Sequence, residues 1–542
     1  MSLQRSTALS LLKTQHYDLI VIGGGITGSG IAQDAATRGM RVALVERSDF
    51  ACGTSSRSSK LIHGGLRYLA QGDFKVTRES CAERELLLVL APHLVHRRSF
   101  LVPIYTFTYG LQIGLGLWVY DFIARKYEHP LHRRVSSNEI VRLVPMIRRE
   151  GLLGGYIYHD CAMNDARLLI EVLKSAASHG ATIVNYVEAK ELRKHNNLVC
   201  GIIARDTDTN ELFDISADVI VNACGVWMDK LCKADDPSAS THIRPAKGAH
   251  IVIARNRIPT VDVALLFASG AGDNRSLFFI PWYEATIIGT TDTDYNGDLD
   301  APRASESDVD YILDATRRVF PSANLTRKDI ISTYAGLRPL INTGGRSTKD
   351  ISRNHKIFES PSGLISIAGG KYTTYRRMAT EVVDKVAERL KKTYRSCCTD
   401  SIYLSDIDAA GGIDKLTEEV ARRASDYGLE QDVAVHLVEN YGAAAMKVLD
   451  IVAERKELAE RCASNLPFIL AEAAYAIKHE SVLHLEDFLV RRTRAALVCP
   501  DQGVAIANKL LDLFAEELNW DAAKAESELE RYRAYVTQYR PV

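Results

Sequence analysis

Three glycines near the start of the chain have the spacing of a nucleotide-binding turn. Gly23, Gly25 and Gly28 form the pattern G-x-G-x-x-G directly after an apolar run at 17–22. The first glycine permits a tight turn, the second lets the backbone approach a pyrophosphate, and the third lets a helix pack closely on a strand. Glu46 follows 18 residues after Gly28, where its carboxylate can accept hydrogen bonds from a ribose. Because that charge disfavours a 2′-phosphate, the pattern predicts a dinucleotide other than NADP.

A second glycine turn lies far along the chain. Gly369 and Gly370 follow an apolar run at 364–368 and precede a helical pattern. The N-terminus of a helix offers unpaired N–H groups and a favourable dipole to a phosphate. Two such turns, about 350 residues apart, favour a long cofactor that is bound across a composite domain. We therefore predict FAD and not NAD.

The elements around the first turn are predicted to form a β-α-β unit. Residues 17–22 and 41–46 have the composition of buried strands, and the small-residue segment 26–38 between them is predicted to be a helix. Longer periodic segments predict helices at 76–90, 167–179 and 375–390. Short apolar runs predict strands at 182–187, 199–204, 211–215, 219–222 and 364–368.

The rest of the chain divides into a second sheet and a helical region. Apolar runs at 251–253, 277–280 and 286–290 predict a separate mixed sheet, and from residue 413 the patterns are helical. The predicted fold class is α/β: an FAD-binding Rossmann-like domain with an interleaved antiparallel substrate sheet and a C-terminal all-helical domain. The predicted divisions are an N-terminal tail at 1–15, the oxidoreductase region at 16–390, a linker at 391–412 and the helical domain at 413–542.

Composition restricts the class of protein. A chain of 542 residues exceeds the roughly 250–300 residues of one hydrophobic core, so more than one domain is expected. The formal charge of −1 gives no reason to expect nucleic acid binding. The ten cysteines include no C-x-x-C pair, which indicates reduced thiols in the cytoplasm and no zinc site. We expect no metal, and no secretory signal in the polar first fourteen residues.

Several motifs resemble one enzyme family. The run 54–69, TSSRSSKLIHGGLRYL, is similar to the FAD-dependent glycerol-3-phosphate dehydrogenases, which lie within the wider glycine oxidase and D-amino-acid oxidase superfamily. Colinear matches continue to about residue 515. They include the segments at 165–168, 222–227, 247–250, 288–292, 336–340, 369–376, 485–488 and 491–493.

The resemblance implies a noncovalent FAD, a substrate-binding sheet and a helical cap. It places Val187 against the adenine half of the cofactor. Gly225 and Gly370 are further glycines that it places at the cofactor. The other residues that it implies for the flavin and the pyrophosphate are Ser55, Ser56, Ser58, Lys60, Gly369, Lys371 and Thr374. Family members without a long insertion, as here, usually pass electrons to a membrane quinone.

The substrate that the resemblance implies is glycerol 3-phosphate, a small dianion with one secondary alcohol. Arginine can bind its phosphate with two parallel hydrogen bonds, and Arg67, Arg338 and Lys371 lie in three motifs expected to converge at the flavin. The neutral donor Tyr68 and the hydroxyl of Thr374 are expected to contact the substrate as well.

Hydride transfer from this alcohol leaves an alkoxide-like oxygen, so a base or a strong donor must lie beside it. His63 and His250 are the candidates for the base, since imidazole titrates near physiological pH. Lys247 or Arg338 are alternatives that could stabilise the oxygen electrostatically. The choice among these residues stays open at this level.

An apolar segment within a basic region suggests contact with a membrane. Residues 93–149 contain nine Lys/Arg and three Asp/Glu, which gives a formal charge of +6. They surround the apolar stretch 107–123. Basic groups beside apolar side chains suit an anionic bilayer surface. Our hypothesis is that Leu111, Leu115 and Trp118 enter the interface, which predicts peripheral attachment to the inner face of the plasma membrane. A buried helix with a solvated basic face is the alternative.

Other functions are compatible with the same motifs. One is a glycerol-3-phosphate oxidase that reduces oxygen to peroxide. Another is an amine or 2-hydroxy-acid oxidoreductase of the superfamily, whose carboxylate substrate needs one arginine and not three cations. A noncatalytic flavin-fold scaffold is the third. A homodimer is a separate hypothesis about assembly.

Overall fold

The computed structural model describes residues 3–66, 69, 72–125, 130–273, 275–342, 344 and 354–542. Its helices of seven or more residues are Arg5–Thr14, Ile26–Thr37, Phe74–Leu90, Phe107–Ala124, Ser137–Leu143, Asp165–Ser178, Met228–Asp235, Glu306–Val319, Tyr375–Leu390, Ile413–Asp426, Gln431–Tyr441, Ala445–Glu454, Leu470–His479, Val504–Leu518 and Ala522–Tyr535. A six-residue π-helix, Asp487–Arg492, and the short helix Ala495–Val498 lie between Leu470–His479 and Val504–Leu518.

The first sheet carries the glycine turn at 23–28. His355–Glu359 pairs antiparallel with Ile365–Gly369 at one edge. The strands Val187–His195 and Leu198–Asp206 form a hairpin, and Leu198–Asp206 pairs antiparallel with Leu212–Asn222. The sheet is parallel through its centre. One face packs on the helices Ile26–Thr37, Asp165–Ser178 and Tyr375–Leu390, and the other packs on that hairpin and the helix Arg5–Thr14. The parallel strands lie in the order Ile365–Gly369, Leu212–Asn222, His16–Ile22, Val42–Val45 and Thr182–Val184.

Small residues let the helix after the glycine turn lie deep in this domain. Ile26–Thr37 is buried over nearly its whole length and packs between Asp165–Ser178 and Tyr375–Leu390. A Cβ at Gly30 would lie 2.7 Å from the ring of Tyr375, which explains a glycine in mid-helix. The predicted β-α-β unit is therefore present, and its helix lies between two others.

Two predicted strand boundaries differ in the structure. The run 182–187 is not one strand, because Tyr186 has a φ of +57° and turns the chain out of the sheet between Thr182–Val184 and Val187–His195. The runs 211–215 and 219–222 are one strand, Leu212–Asn222, whose first half pairs in a hairpin and whose second half pairs with His16–Ile22.

The second sheet is mostly antiparallel and lies against the cofactor-binding domain. Phe100 packs into the core beneath Phe107–Ala124 and near the C-terminal helices, whereas Leu101 packs towards Glu306–Val319. The alternating side chains of one strand thus contribute to two cores. The strands are Leu61–Ile62, Val95–Ile104, Arg133–Val135, Gly154–Met163, Ile243–Ala254, Val263–Ala268, Ser276–Trp282, Ala285–Gly289, Thr293–Asp294 and Ile330–Ile341.

The C-terminal region is helical from Ile413 onwards and packs against the second sheet and against the helix Asp165–Ser178 of the first domain. Together with the two sheets, it confirms the predicted fold class. Within the described parts of the chain, no helix has both the length and the apolar character needed to cross a membrane.

Candidate active site

One large cavity runs between the two sheets. Its volume is about 1430 Å³, which exceeds the roughly 300–1,000 Å³ of a typical small-molecule site. The glycine turn and Glu46 line one end, and residues of the helix Phe107–Ala124 line the other. Arg338, on the strand Ile330–Ile341 of the second sheet, lines the same cavity. A cavity of this size can hold an extended cofactor together with a second, smaller molecule.

Backbone geometry at the first turn leaves room for a ligand and none for side chains. Gly23 has a φ of +114°, and a Cβ there would lie 2.7 Å from the carbonyl oxygen of Ala223. A Cβ at Gly28 would lie 1.9 Å from the carbonyl oxygen of Gly23. Gly23 and Gly25 line the cavity, whereas Gly28 lies behind them and lets the helix pack. The three glycines thus have the three separate roles expected of a nucleotide turn.

Glu46 joins the turn to the end of the next strand. Its carboxylate accepts hydrogen bonds from the backbone N–H groups of Gly24, at 2.8 Å, and of Ser48, at 2.9 Å. Burial raises the pKa of Glu46 above its ordinary value. The side chain remains part of the cavity wall, where a ribose would approach.

The serine-rich segment after the second strand lies under the cavity. The hydroxyl of Ser55 accepts from the N–H of Ile26 at 2.9 Å and ties the segment to the first turn of the helix. Ser58 donates to Asp165 at 2.7 Å. Both serines line the cavity. This segment therefore forms part of its floor.

Lys60 and Ser56 lie beneath this floor and outside the cavity wall. Lys60 is buried, and its ammonium contacts Asp165 at 2.6 Å and the carbonyl oxygen of Ser56 at 2.5 Å. The family resemblance implies that Lys60 and Ser56 contact the cofactor directly. In the structure Lys60 instead neutralises Asp165, the carboxylate that also holds Ser58.

The second glycine turn reaches the cavity from the opposite side. Gly369 and Gly370 have φ values of +78° and +80° and line the wall, together with Lys371. Lys371 donates to the hydroxyl of Ser80 at 2.9 Å. Thr374 is buried at the start of the helix Tyr375–Leu390, behind the wall.

Two further predicted cofactor residues line the cavity near its nucleotide end. Val187 begins a strand, and its N–H donates to the carbonyl oxygen of Glu46 at 2.8 Å. Gly225 has a φ of +56° and begins a short 3-10 turn. The structure thus joins Val187 to Glu46 and brings Gly225 to the same cavity.

Arg338 is a cation in the wall whose guanidinium is held by neighbouring side chains. It contacts Asp292 at 3.2 Å and donates to the hydroxyl of Thr290 at 3.2 Å. Both partners line the cavity as well. Lys247 has a different environment, because its ammonium pairs with Asp308 at 2.6 Å and it is not among the residues that line the cavity.

The two candidate histidines differ in exposure. His250 is buried, stacks on Tyr334 with ring centroids 4.6 Å apart, and its Nε2 lies 2.9 Å from the hydroxyl of Ser59. Burial, followed by the charges of Arg338 and Lys60, lowers the pKa of His250 well below its ordinary value. His63 is half-buried and lines the same cavity, near Phe278. His250 is therefore a neutral imidazole, held in one orientation.

Two predicted substrate residues, Arg67 and Tyr68, lie outside the described residues. Conversely, the structure adds Asp292 and Thr290, which orient Arg338, and Arg275, which lines the cavity. Asp292 and Thr290 belong to the segment 288–292 that carried part of the resemblance, so the motif was the available signal. Nothing in the sequence pattern singled out Arg275.

The residues present fit a long dinucleotide. Gly23, Gly369 and Gly370 of the wall combine a φ at which side chains are strained with neighbouring atoms that lie too close for a Cβ. Nδ1 of the buried His250 also has no hydrogen-bond partner among the described residues, so the wall has unused polar capacity. In the described part of the chain, no group of His, Cys, Asp and Glu could hold a metal ion.

Comparison with known proteins agrees with this geometry. A model of the FAD dependent oxidoreductase family matches residues 18–376, and one of the C-terminal domain of alpha-glycerophosphate oxidase matches residues 397–525. A glycerol-3-phosphate dehydrogenase of Mycobacterium leprae is 38% identical over 535 residues, which cover 98% of this chain and 90% of the relative. An aerobic glycerol-3-phosphate dehydrogenase of Staphylococcus aureus is 38% identical over 537 residues and covers 97% and 95% of the two chains.

Solved structures lead to the same family. The glycerol-3-phosphate dehydrogenase of Bacillus halodurans complexed with FAD has a TM-score of 0.82 and 34% identity, and covers 98% of this chain and 97% of its own. A glycine oxidase of Geobacillus kaustophilus, with a TM-score of 0.53 and 20% identity, shares the fold over 71% of this chain. The cavity, its glycine turns and these matches together show that the chain is an enzyme of the FAD-dependent glycerol-3-phosphate dehydrogenase family, with FAD as its cofactor.

Proposed function

We propose that this enzyme oxidises sn-glycerol 3-phosphate to dihydroxyacetone phosphate and passes the electrons to a membrane quinone. One observation carries the proposal: Arg338, Lys371, His63 and His250 line the same cavity as both glycine turns. Cations and imidazoles thus lie in the compartment that fits the cofactor. The names of the relatives support the same substrate.

The phosphate of the substrate is the group that selects the cations. Arg338 places a guanidinium in the cavity wall, where Asp292 and Thr290 fix its position and its permanent positive charge can attract the phosphate. Lys371 adds a second positive charge at the other glycine turn. Arg67 and Tyr68 stay proposed substrate contacts on the motif alone. A carboxylate substrate would need fewer of these groups.

The substrate alcohol must lose a proton and a hydride. FAD, when bound, supplies the hydride acceptor. We assign the proton to His63, because its imidazole lines the cavity and is half-exposed, so that a proton can leave to solvent. His250 is too deeply buried for that exchange, and its neutral ring shapes the wall beside Arg338. The protein's part is thus to orient the alcohol and accept its proton.

The far end of the cavity supports the choice of acceptor. Tyr109, Gln112, Ile113 and Val119 of the helix Phe107–Ala124 line it from inside. Five large apolar side chains of the same helix are between 63% and 78% exposed: Phe107, Leu111, Leu115, Trp118 and Phe122. Leu115 also lines the cavity. An exposed apolar patch of this kind marks a site of association. A quinone dissolved in a bilayer can approach the cavity through this face.

Basic side chains near the patch favour an anionic bilayer. Arg134 and Arg149 are exposed, and Arg133 is exposed with a partner in Glu139. Each basic residue near such a surface contributes about 1 kcal/mol to binding. We therefore propose peripheral attachment to the inner face of the plasma membrane through this helix.

The substrate is tested by adding glycerol 3-phosphate to the holoenzyme without oxygen. Rapid loss of the oxidised flavin absorbance is expected, whereas glycine and 2-hydroxy acids should leave it unchanged. In air without quinone, little peroxide is expected, and addition of a soluble quinone should restore turnover. Stoichiometric peroxide would identify an oxidase instead. Flavin reduction by glycine but not by the phosphate would refute the proposed substrate.

The membrane surface is tested by sedimentation with vesicles that contain anionic phospholipid. Leu111→Gln with Trp118→Gln removes two exposed apolar groups, so affinity should fall at least about tenfold. Leu198→Gln with Leu212→Gln is the control, because these leucines are 49% and 61% exposed on two paired strands of the first sheet, away from this helix. High salt and Arg134→Glu should also weaken binding. Equal partitioning of all variants would exclude this face.

A further inference from the structure

A buried ionic cluster joins the C-terminal helices to the loop at the nucleotide end of the cavity. Asp49 lies three residues after Glu46 and is fully buried. Arg492 binds it through both arms of its guanidinium, at 2.8 and 2.9 Å, and Nε of Arg491 donates to the same carboxylate. A charge-assisted pair with two parallel bonds fixes position as well as distance. The carboxylate of this loop is thus held from a distant part of the chain.

The same π-helix also binds Tyr186, the residue before Val187 in the cavity wall. Asp487 accepts from the hydroxyl of Tyr186 at 2.6 Å and pairs with Arg491 at 2.7 Å. Tyr186 adopts a φ of +57° directly before Val187, which lines the cavity. Asp487, Arg491 and Arg492 all belong to the π-helix Asp487–Arg492, a form that is often found at functional sites.

The loop itself has little regular structure to hold it. Residues 46–53 contain no helix or strand, yet Glu46, Arg47, Ala51, Cys52 and Gly53 line the cavity. Asn185 adds one more tie, since its amide donates to Asp49 at 3.2 Å and to the carbonyl oxygen of Ser481 at 2.8 Å. The conformation of this wall therefore depends on side chains that the C-terminal region supplies.

We infer that the π-helix Asp487–Arg492 is a clamp that holds the loop 46–53 and Val187 in the arrangement that binds the nucleotide half of FAD. Arg491, Arg492 and Asp487 are then positioning residues for the cofactor, with no direct contact to it. Loss of the clamp lets the loop occupy other conformations. Affinity falls in proportion to the fraction of molecules that remain competent to bind.

Linkage adds a second consequence. If docking of the C-terminal helices raises the affinity for FAD, FAD must in turn strengthen their docking by the same factor. Limited proteolysis within 391–412, the chain segment that leads into these helices, should therefore be faster in the apoprotein than in the holoenzyme. FAD added back should slow it again.

The test is the affinity for FAD, measured as apoprotein is titrated and flavin fluorescence is followed. For Arg492→Met we expect Kd to rise about tenfold, as when roughly one tenth of the molecules keep the loop in place. Tyr186→Phe removes only one hydroxyl and should give a smaller rise in the same direction. Arg494→Met is the matched control, because Arg494 is equally buried in the same region but pairs with Glu284, at 2.6 and 2.7 Å, in the other sheet.

The outcomes separate the clamp from general destabilisation. An unchanged Kd in Arg492→Met and Tyr186→Phe would overturn the inference, as would an equal rise in Arg494→Met. If Arg492→Met does not fold, Tyr186→Phe and the proteolysis of wild-type apoprotein decide. The inference rests on FAD as the cofactor and not on the proposed substrate, because flavin affinity is measured without glycerol 3-phosphate.

Discussion

At the scale of single residues, the site depends on how each charge is oriented. Asp292 and Thr290 hold the guanidinium of Arg338, so that its positive charge keeps a constant position in the cavity wall. A lysine at this position would keep the charge but lose the planar fork. Lys60 shows the opposite case, since its ammonium is used to neutralise Asp165 below the floor.

Arg338→Lys should lower kcat/KM for glycerol 3-phosphate about 100-fold, because charge-assisted hydrogen bonds to a desolvated anion contribute roughly 1.5–3 kcal/mol. Asp292→Asn should cause a smaller loss through the same guanidinium. Steady-state rates with a dye as acceptor measure both, and the flavin content should stay unchanged. Arg327→Lys, on the surface beside Asp310, is the control. Equal rates for all three variants would contradict the role of Arg338.

His93 is a second residue whose environment has a measurable effect. It is buried, and neither ring nitrogen has a hydrogen-bond partner among the residues that the structure describes. Burial, followed by the charges of Arg167, Lys174 and His96, lowers the pKa of His93 well below its ordinary value. The unfolded chain therefore binds a proton at this site at a higher pH than the folded protein does.

His93→Leu should make stability less sensitive to acid. Below the unfolded pKa of about 6.5, the wild type loses up to about 1.4 kcal/mol of unfolding free energy per pH unit through this residue, until the folded pKa is reached. Above about 6.5 that contribution is constant. Urea unfolding of both proteins between about pH 5 and 7 measures the difference in slope. Parallel curves would show that folding does not lower the pKa of His93.

At the scale of elements, the strand–turn–helix unit and the apolar helix illustrate two kinds of information. The first is defined by contacts between near neighbours, such as Gly28 against Gly23. The helix Phe107–Ala124 has apolar residues on all sides, with Leu117 and Tyr120 buried and Leu111 and Trp118 exposed. Which side faces outwards depends on the strands beneath it.

Gly28→Ala should abolish tight binding of FAD. The new methyl group would lie 1.9 Å from the carbonyl oxygen of Gly23, so that either the helix or the turn must move. We expect FAD affinity at least about tenfold lower, equivalent to about 1.4 kcal/mol, in the same fluorescence titration. Gly116→Ala is the control, since no atom lies within 4 Å of its Cβ position. Normal affinity in Gly28→Ala would mean that the turn tolerates this displacement.

At the scale of the whole molecule, buried ion pairs join the C-terminal helices to the cofactor-binding domain. Arg167 binds Glu480 at 2.6 and 2.9 Å, and Lys174 lies 3.6 Å from the same carboxylate, all of them buried. Burial alone would raise the pKa of Glu480, but Arg167 and Lys174 lower it to about 2. Its contribution to stability is thus present above its ordinary pKa of about 4.5 and is lost as the pH falls towards about 2.

Arg167→Met should reduce the free energy of unfolding by about 3–5 kcal/mol, because it leaves the carboxylate of Glu480 buried without its main partner. The double variant Arg167→Met with Glu480→Leu should recover much of that loss. Chemical denaturation measures each variant. Arg461→Met breaks a pair with Asp432 near the surface and should cost less than about 1 kcal/mol. A double variant no more stable than Arg167→Met would indicate that packing, not charge, dominates this interface.

The sequence by itself determined the features that depend on local spacing. The glycine turn, the strands beside it and the carboxylate of Glu46 lie within about thirty residues, so their pattern predicts both the β-α-β unit and a dinucleotide. The fold class and FAD followed, and both are confirmed. The wider motifs pointed to the family in the same way, because each is a short run of residues.

Only the tertiary structure decided which charged residues reach the cavity and which stabilise the molecule. Lys247 and Arg338 lie in similar motifs, yet one pairs with Asp308 and the other lines the cavity. Arg492 meets Asp49 across 443 positions of the chain. Contacts of this length depend on how the two sheets and the C-terminal helices pack, and no local pattern specifies that packing. The same packing leaves one face of the helix Phe107–Ala124 exposed.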